Sequence, residues 1–341
     1  MSLKNLNAIK TPNNLVYNLS NKRIKKLYNF FEKNFQIKEK FAVAVSGGSD
    51  SLALVFFTKV YSIKHNLKIK YLIVDHKLRK ESTLEAKKTR KVLSNFGIMS
   101  EILTWKGKKP LSNIQSQARK KRYNLLFLRC KNLKISNLVL GHHLDDLYEN
   151  FFIRMMRGSG LKGLTSLEKK TTIDKINLIR PLLDIEKKDL EFISNHVFNF
   201  FIKDPSNENI NFKRIKVRKI IDQFKRSGLE KNKLLLTVKN LKTSNNALKF
   251  YIEQNKRFNS FMDKKNNKLF LNGLFFKQPY EVVFRSFSDS LKIIGGKYFS
   301  ARGRKIDHIL QMIDNDSLKK VTLAKCIVKK ANQTVIIMKE Y

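Results

Sequence analysis

The chain has 341 residues, 42% of them hydrophobic, so it is too long for one small core and able to bury two or three. Seventy Lys and Arg against 28 Asp and Glu give a formal net charge of +42, a field that draws polyanions and favours nucleic acid over an acidic membrane surface. No apolar run reaches the length of a membrane span, and the polar stretch Met1–Asn14 lacks a secretory core, which excludes a spanning protein and fits a cytoplasmic one. A general enrichment in Lys, Asn, Ile and Phe is a bland source of part of the positive charge.

Residues 21–34 read as a basic amphipathic helix that leads into the first strand. Short apolar runs follow at Phe41–Val45, Tyr71–Val74, Ile98–Trp105 and Asn137–Leu140, separated by helical stretches at Ser51–Lys64, Ser82–Phe96 and Asn113–Cys130. This alternation predicts βαβ units and a doubly wound, Rossmann-like parallel sheet of the α/β class. Such sheets bind ligands beyond the carboxyl ends of their strands. After the turn cluster Asp204-Pro205-Ser206-Asn207, residues 208–265 read as helical and strongly basic. From about 275 a mixed segment follows, with Gly295-Gly296 and strand candidates at Val321–Val328 and Thr334–Met338. The expected partition is a basic extension and helix over 1–40, an α/β catalytic domain over 41–205, a basic helical region over 206–272, and a small mixed α/β domain over 273–341.

The most specific local signal is Ser46-Gly47-Gly48-Ser49-Asp50-Ser51, placed between the first strand and its helix. A helix N-terminus offers unpaired N–H groups and partial positive charge. Gly47 and Gly48 allow close approach of an anion, and the three serines add hydroxyl donors. The Walker spacing and its lysine are absent. Asp50 would repel phosphates unless a cation bridged them, which assigns it Mg²⁺ coordination. A serine-capped turn without ligand is the plain alternative for a bare SGGS. The full SGGSDS resembles the pyrophosphatase loop (PP-loop) of the N-type ATP pyrophosphatases, which cleave ATP between the α- and β-phosphates and transfer AMP to an oxygen.

Further segments narrow that resemblance to the tRNA(Ile)-lysidine synthetases, over most of residues 41–218. Val74-Asp75-His76 with Leu78-Arg79 resembles the VDHxLR signature, at a strand end where Asp75 and His76 would meet the nucleotide. Asn113 to Tyr123 is similar to the NxxxxARxxRY helix. Gln115, Arg119 and Arg122 share one face there, and Ile114, Ala118 and Leu125 another. The two arginines suit bidentate binding of a phosphate or carboxylate, although a basic helical face is usually only solvated. Gly141-His142-His143-Leu144-Asp145-Asp146, continuing to Arg157-Gly158-Ser159-Gly160, is similar to GHHxDDQxET…RxxRGSG, with Leu147 for Gln and Asn150 for Thr. On one continuous helix Asp146, Asn150 and Arg157 would fall within about 40° of one another. His142 with Asp146 is expected in acid–base or orienting work. A metal site on His142, His143, Asp145 and Asp146 competes, and its carboxylates suit Mg²⁺ better than zinc. Arg180-Pro181-Leu182-Leu183, Asp204–Asn207 and Phe212–Arg218 follow in family order, with Ile215 for an asparagine and with Arg214 and Arg218 as tRNA-contacting candidates. Thr322-Leu323-Ala324-Lys325-Cys326 resembles a C-terminal TLGGC element, Ala-Lys replacing Gly-Gly.

The resemblance implies one reaction. ATP adenylates the C2 oxygen of the wobble cytidine of tRNA(Ile) with anticodon CAU, and the ε-amino group of free L-lysine then displaces AMP to give lysidine, moving codon reading from AUG to AUA. ATP and Mg²⁺ are the implied cofactors. Asp145, Glu149, Arg119 and Arg122 are candidates for holding lysine, with Arg157 beside the RNA. A homodimer is compatible with this reading. The rivals are a PP-loop tRNA thiolase, which needs a cysteine pair that Cys130 and Cys326 do not supply by spacing, and a non-catalytic RNA-binding protein on the same scaffold.

Overall fold

The computed structural model describes residues 15–78, 81–107, 114–202, 213–296 and 301–340. It divides into two compact units, Met1–Leu234 and Leu235–Tyr341. The division falls at Leu234/Leu235, whereas composition placed boundaries near 205 and 272. Asp204–Asn207, Arg79, Asn113 and Phe212 lie outside the described residues.

In the first unit, α1 (Lys22–Asn34) leads into β1 (Phe41–Val45), α2 (Ser49–His65), β2 (Ile69–Asp75), α3 (Ser82–Asn95) and β3 (Ser100–Thr104). Then come α4 (Ile114–Asn132), β4 (Asn137–Val139), α5 (Leu144–Met155), α6 (Leu161–Leu164), β5 (Lys170–Ile173), β6 (Ile176–Ile179), α7 (Lys187–Phe198) and α8 (Lys213–Arg226). The sheet order is β3-β2-β1-β4-β6-β5. All pairs are parallel except the β5–β6 hairpin. β1 is central, with Val43 opposite Tyr71 on one side and Val139 on the other, and its apolar run FAVAV suits a strand covered on both faces. Strand order reverses between β1 and β4, so the crevice beyond their carboxyl ends is the topological switch point.

Apolar residues line most of α2, because the helix is wrapped on several sides: Leu52 to Phe57 are buried, and Phe57 stacks on Phe31 of α1 at 5.0 Å. Ser194 of α7 donates to the Ser49 carbonyl at 2.6 Å, fixing the start of α2 against α7. Two features differ from the sequence reading. The strand expected from Ile98 begins at Ser100, because Gly97 (φ +66°) and the bonds Gly97 N–H to Ser94 O and Ile98 N–H to Leu93 O close α3 first. The β5–β6 hairpin was not anticipated; it turns on Asp174 and Lys175, both at positive φ.

The second unit takes most of α9 (Lys231–Asn259), then β7 (Ser260–Asp263), β8 (Lys268–Leu271), α10 (Gly273–Phe276), α11 (Tyr280–Ile294), α12 (Gly303–Asp314), β9 (Lys320–Leu323), β10 (Cys326–Ala331) and β11 (Thr334–Lys339). Its strands form an antiparallel sheet in the order β7-β8-β11-β10-β9. Helix gives way to strand at Ser260, not beyond 265 as the basic run suggested. The next turn is set by Asp263, whose carboxylate accepts from the Asn266 backbone and side chain, and by Asn267 at φ +50°. The single strand expected over Val321–Val328 is two strands folded at Ala324-Lys325, with φ of 58° and 63°. Such a two-residue turn favours glycine at both positions, so Ala324 and Lys325 form it with residues that fit it less well.

Candidate active site

The loop after β1 is shaped from within. Ser51 Oγ accepts the N–H groups of Ser46 (3.2 Å) and Gly47 (3.1 Å) and donates to Gly48 O (2.9 Å), so this buried hydroxyl ties the loop to the first turn of α2. Gly47 sits at φ +84°, and a Cβ there would collide with Thr89 Oγ1 and lie 2.7 Å from Ile202 Cδ1. Its carbonyl accepts the Ile202 N–H at 2.9 Å, a strap from beyond α7. The cap residue Gly48 has no side chain to cover the helix end, so α2 presents its first-turn amides at the switch point, as an anion site requires.

The second motif arrives from β4. A Cβ on Gly141 would lie 3.3 Å from the carbonyl carbon and oxygen of Asp50 and from Ser51 Cα, so this glycine permits the backbones to approach. The approach brings His143 to the loop. Its Nε2 lies 3.5 Å from Oδ2 of Asp50 and of Asp146, and its Nδ1 3.6 Å from Asp145 Oδ2, which are ion-pair distances rather than tight hydrogen bonds. Burial alone would lower the pKa of this imidazole, but Asp145, Asp50 and Asp146 outweigh it and push it up to about 10. The ring is then a cation amid three carboxylates at neutral pH. Asp146 Oδ2 also accepts the His143 backbone N–H at 3.1 Å, and Asp145 Oδ2 accepts the Lys187 N–H at 3.0 Å, tying the motif to the start of α7.

The sequence singled out His142 for this role. The imidazole that joins the carboxylates is its neighbour His143, while His142 is half-buried beside it. The spacing His143-x-x-Asp146, a side chain three residues into a helix reaching back to the cap, is the signal that could have found it. Asp75 is 2% exposed and accepts from Ser82 Oγ (2.9 Å), Thr83 Oγ1 (2.7 Å) and the Lys77 N–H (3.1 Å), so its carboxylate organises the β2–α3 turn. Burial raises its pKa and these donors outweigh that, holding it below the usual carboxylate range. His76 Nδ1 accepts the Leu78 N–H at 3.3 Å in the same turn.

Glu149 and Arg218 meet across 69 residues. Arg218 Nε donates to Glu149 Oε1 at 2.6 Å, and the carboxylate is 3% exposed. The pair holds α8 against α5. Arg119 is exposed, and its guanidinium lies 5.3 Å from the Tyr123 ring, as that of Arg122 does at 5.6 Å. Arg157 is exposed in the turn after α5 rather than on the helix with Asp146 and Asn150. Gly158 at φ +64° ends the helix through Gly158 N–H to Met155 O and Ser159 N–H to Arg154 O. Arg214 lies within α8.

Among the described residues no group of three or more His, Cys, Asp and Glu forms a metal cage. Asp50, with 29% of its side chain exposed beside the SGGSDS turn, offers one hard oxygen donor, which fits a Mg²⁺ ion completed by phosphate oxygens and water.

The profile of the PP-loop domain matches residues 17–224. The tRNA(Ile)-lysidine synthase of Orientia tsutsugamushi (strain Boryong) is 34% identical over 322 residues, covering 90% of this chain and 71% of its own length. The chain belongs to the tRNA(Ile)-lysidine synthase family. Proteins of the same name from Rickettsia prowazekii (strain Madrid E) and the Wolbachia of Brugia malayi (strain TRS) are 32% and 30% identical, covering 89% and 88% of the chain. The U34-tRNA thiolase NcsA from Methanococcus maripaludis, with its [4Fe-4S] cluster, aligns at TM-score 0.56 and 21% identity over 64% of this chain and 79% of its own, a likeness of fold alone.

Family membership implies ATP use and places the departures from the lysidine synthase pattern in context. Leu147, where the pattern has Gln, is 2% exposed and belongs to the packing of α5. Asn150, where it has Thr, donates to Ser166 Oγ at 3.2 Å and so braces the segment after α6. Cys130 and Cys326 are both buried free thiols, one in each unit. Among the described residues no helix is long and apolar enough to cross a membrane.

Proposed function

We propose that this chain carries out the lysidine synthase reaction: ATP adenylates the C2 oxygen of the wobble cytidine of CAU-anticodon tRNA(Ile), and free lysine attacks C2 and expels AMP. The observation that carries the reading is the convergence at one switch point of the SGGSDS turn and the HHLDD helix start, with Asp50 and Asp146 each 3.5 Å from His143.

The backbone of Ser46-Gly47-Gly48 and the first-turn amides of α2 bind and orient the triphosphate. Asp50 would hold Mg²⁺, which when bound neutralises charge on the departing pyrophosphate. His143 keeps three carboxylates together without the repulsion they would otherwise feel, and so holds Asp146 in the crevice. The lysine ε-amino group must lose a proton as it attacks, and Asp146 is the acceptor we assign, with His142 as the alternative. Asp145 suits the α-amino group of lysine, and Arg119 or Arg122 its carboxylate. Arg157, Arg214 and Arg218 are assigned to contacts with the RNA on this reading, Arg218 with only the part of its fork that Glu149 leaves.

The test is the mass of the modified nucleoside after incubation with a CAU-anticodon tRNA(Ile) transcript, ATP, Mg²⁺ and lysine, each omitted in turn. Lysidine that depends on all four supports the reading. A thiolated nucleoside, or an unmodified cytidine with active protein, overturns it.

A further inference from the structure

The register of the second unit's sheet separates its two faces. Inward lie Met262, Leu269, Leu271, Val335, Ile337, Val328 and Cys326, which pack with α11 and α12. Outward, directly paired residues form one row, Phe261–Phe270–Ile336–Lys329–Lys320, and beside it a second, Asp263–Lys268–Met338–Ile327–Thr322. Phe261 is 67% exposed, and the other outward apolar side chains are partly exposed and absent from the buried clusters. The Phe261 and Phe270 rings lie 6.3 Å apart. Phe258, at the end of α9, is as exposed as Phe261, with the Arg257 guanidinium 5.5 Å from its ring. The one acid of these rows, Asp263, is occupied by Asn266.

An outward sheet face usually carries polar residues, and this one carries aromatic and aliphatic side chains between lysines. We propose that it is a stacking platform for unpaired bases of an RNA. Aromatic rings stack on bases of any identity, and lysines at the margins meet the phosphates of the same strand. Duplex RNA shows such a face no free base, so selection is for single-stranded segments. A second copy of the chain is the disfavoured occupant, because each brings +42 of charge and its own lysine rows. The proposal rests on the reading that this chain acts on tRNA and adds the part of the RNA that the second unit holds.

The test uses the full chain with Phe261→Trp. The single natural tryptophan, Trp105, is 8% exposed, and subtracting the wild-type response leaves the signal of the new indole. An octamer of U should quench its emission saturably, and a blunt RNA duplex of equal length about ten-fold less well at equal concentration. The anticodon stem-loop of the tRNA, assayed alongside, should quench if its loop is the source of the bases, and intact tRNA alone should quench if they come from elsewhere in the molecule. Phe261→Ala and Lys329→Glu, both outward and exposed, should each weaken octamer binding by about ten-fold while ATP binding holds. Equal quenching by the duplex would reduce the face to a charge patch and overturn the proposal. No quenching, with a wild-type dimer that Phe261→Ala dissociates in sedimentation velocity, would make it an interface between copies. Lysidine formation by the wild type is scored separately: its absence breaks the functional reading, whereas normal formation by the wild type, with no quenching of Phe261→Trp by the octamer, breaks only the platform.

Discussion

The two units solve the problem of a sheet in opposite ways. In the first, β1 is covered on both faces, so polar chemistry is driven to the strand ends, where Asp50, His143, Asp145 and Asp146 collect beside a helix N-terminus. In the second, one face is packed and the other is left to solvent, and its outward residues offer a surface rather than a crevice. A covered parallel sheet concentrates function at a point, and a half-covered antiparallel one spreads it over an area.

The comparison breaks most sharply at Asp50. Asp50→Ala should lower pyrophosphate release by at least about 100-fold while tRNA affinity stays near wild type, since the proposed RNA contacts are many dispersed cations. Pyrophosphate release and tRNA retention on filters measure the two; more than a few per cent of wild-type turnover would remove Asp50 from the reaction. Asp146→Asn should lose nearly as much activity while folding normally, because the amide oxygen can still accept the His143 N–H. Circular dichroism alongside turnover separates the two effects.

Gly141→Ala comes next. Its Cβ must displace the Asp50–Ser51 backbone by a few tenths of an ångström, so turnover should fall about ten-fold or more with tRNA affinity retained. Unchanged turnover would show that the approach of the two motifs is not needed. Arg218→Ala leaves a buried carboxylate at Glu149 without its guanidinium, at a cost of roughly 1–3 kcal/mol, read as a lower midpoint in urea. Equal midpoints would mean that Arg218 does not brace α8.

The smallest effects belong to the cysteines. Burial pushes the thiols of Cys130 and Cys326 up to about 11, the latter with help from Glu340, so neither supplies a thiolate at neutral pH. Cys130→Ser and Cys326→Ser, singly and together, should keep modification activity. Loss of turnover in a folded double variant would restore the thiolase reading.

Much of the first unit was legible because its signals are local. FAVAV, the SGGSDS turn and the helix periods each depend on residues a few positions apart. The choice between His142 and His143 was not legible, since adjacent imidazoles look alike in sequence and the cap geometry at Asp146 decides which ring turns to Asp50. The helix over 208–265 was overextended because basic residues flank β7 on both sides, Lys256-Arg257 before it and Lys264-Lys265 after it, while its own four residues are too few to show a strand period. Asp75 illustrates the opposite limit: its place at a strand end was readable, but the three donors that engage its carboxylate come from a turn and helix that only folding brings around it.

The sequence by itself determined the α/β class, the glycine- and serine-rich turn after β1 and the family, because each is written in contiguous residues whose spacing has a direct physical meaning. Tertiary structure decided what those residues meet. Pairing of β1 with β4 put Asp50 beside His143, and pairing of α5 with α8 joined Glu149 to Arg218. The register of five antiparallel strands set Phe261 and Phe270 in line with Lys329 and Lys320. These are contacts between segments far apart in the chain, and their partners are chosen by which faces can be buried together, a property that no single stretch of sequence carries.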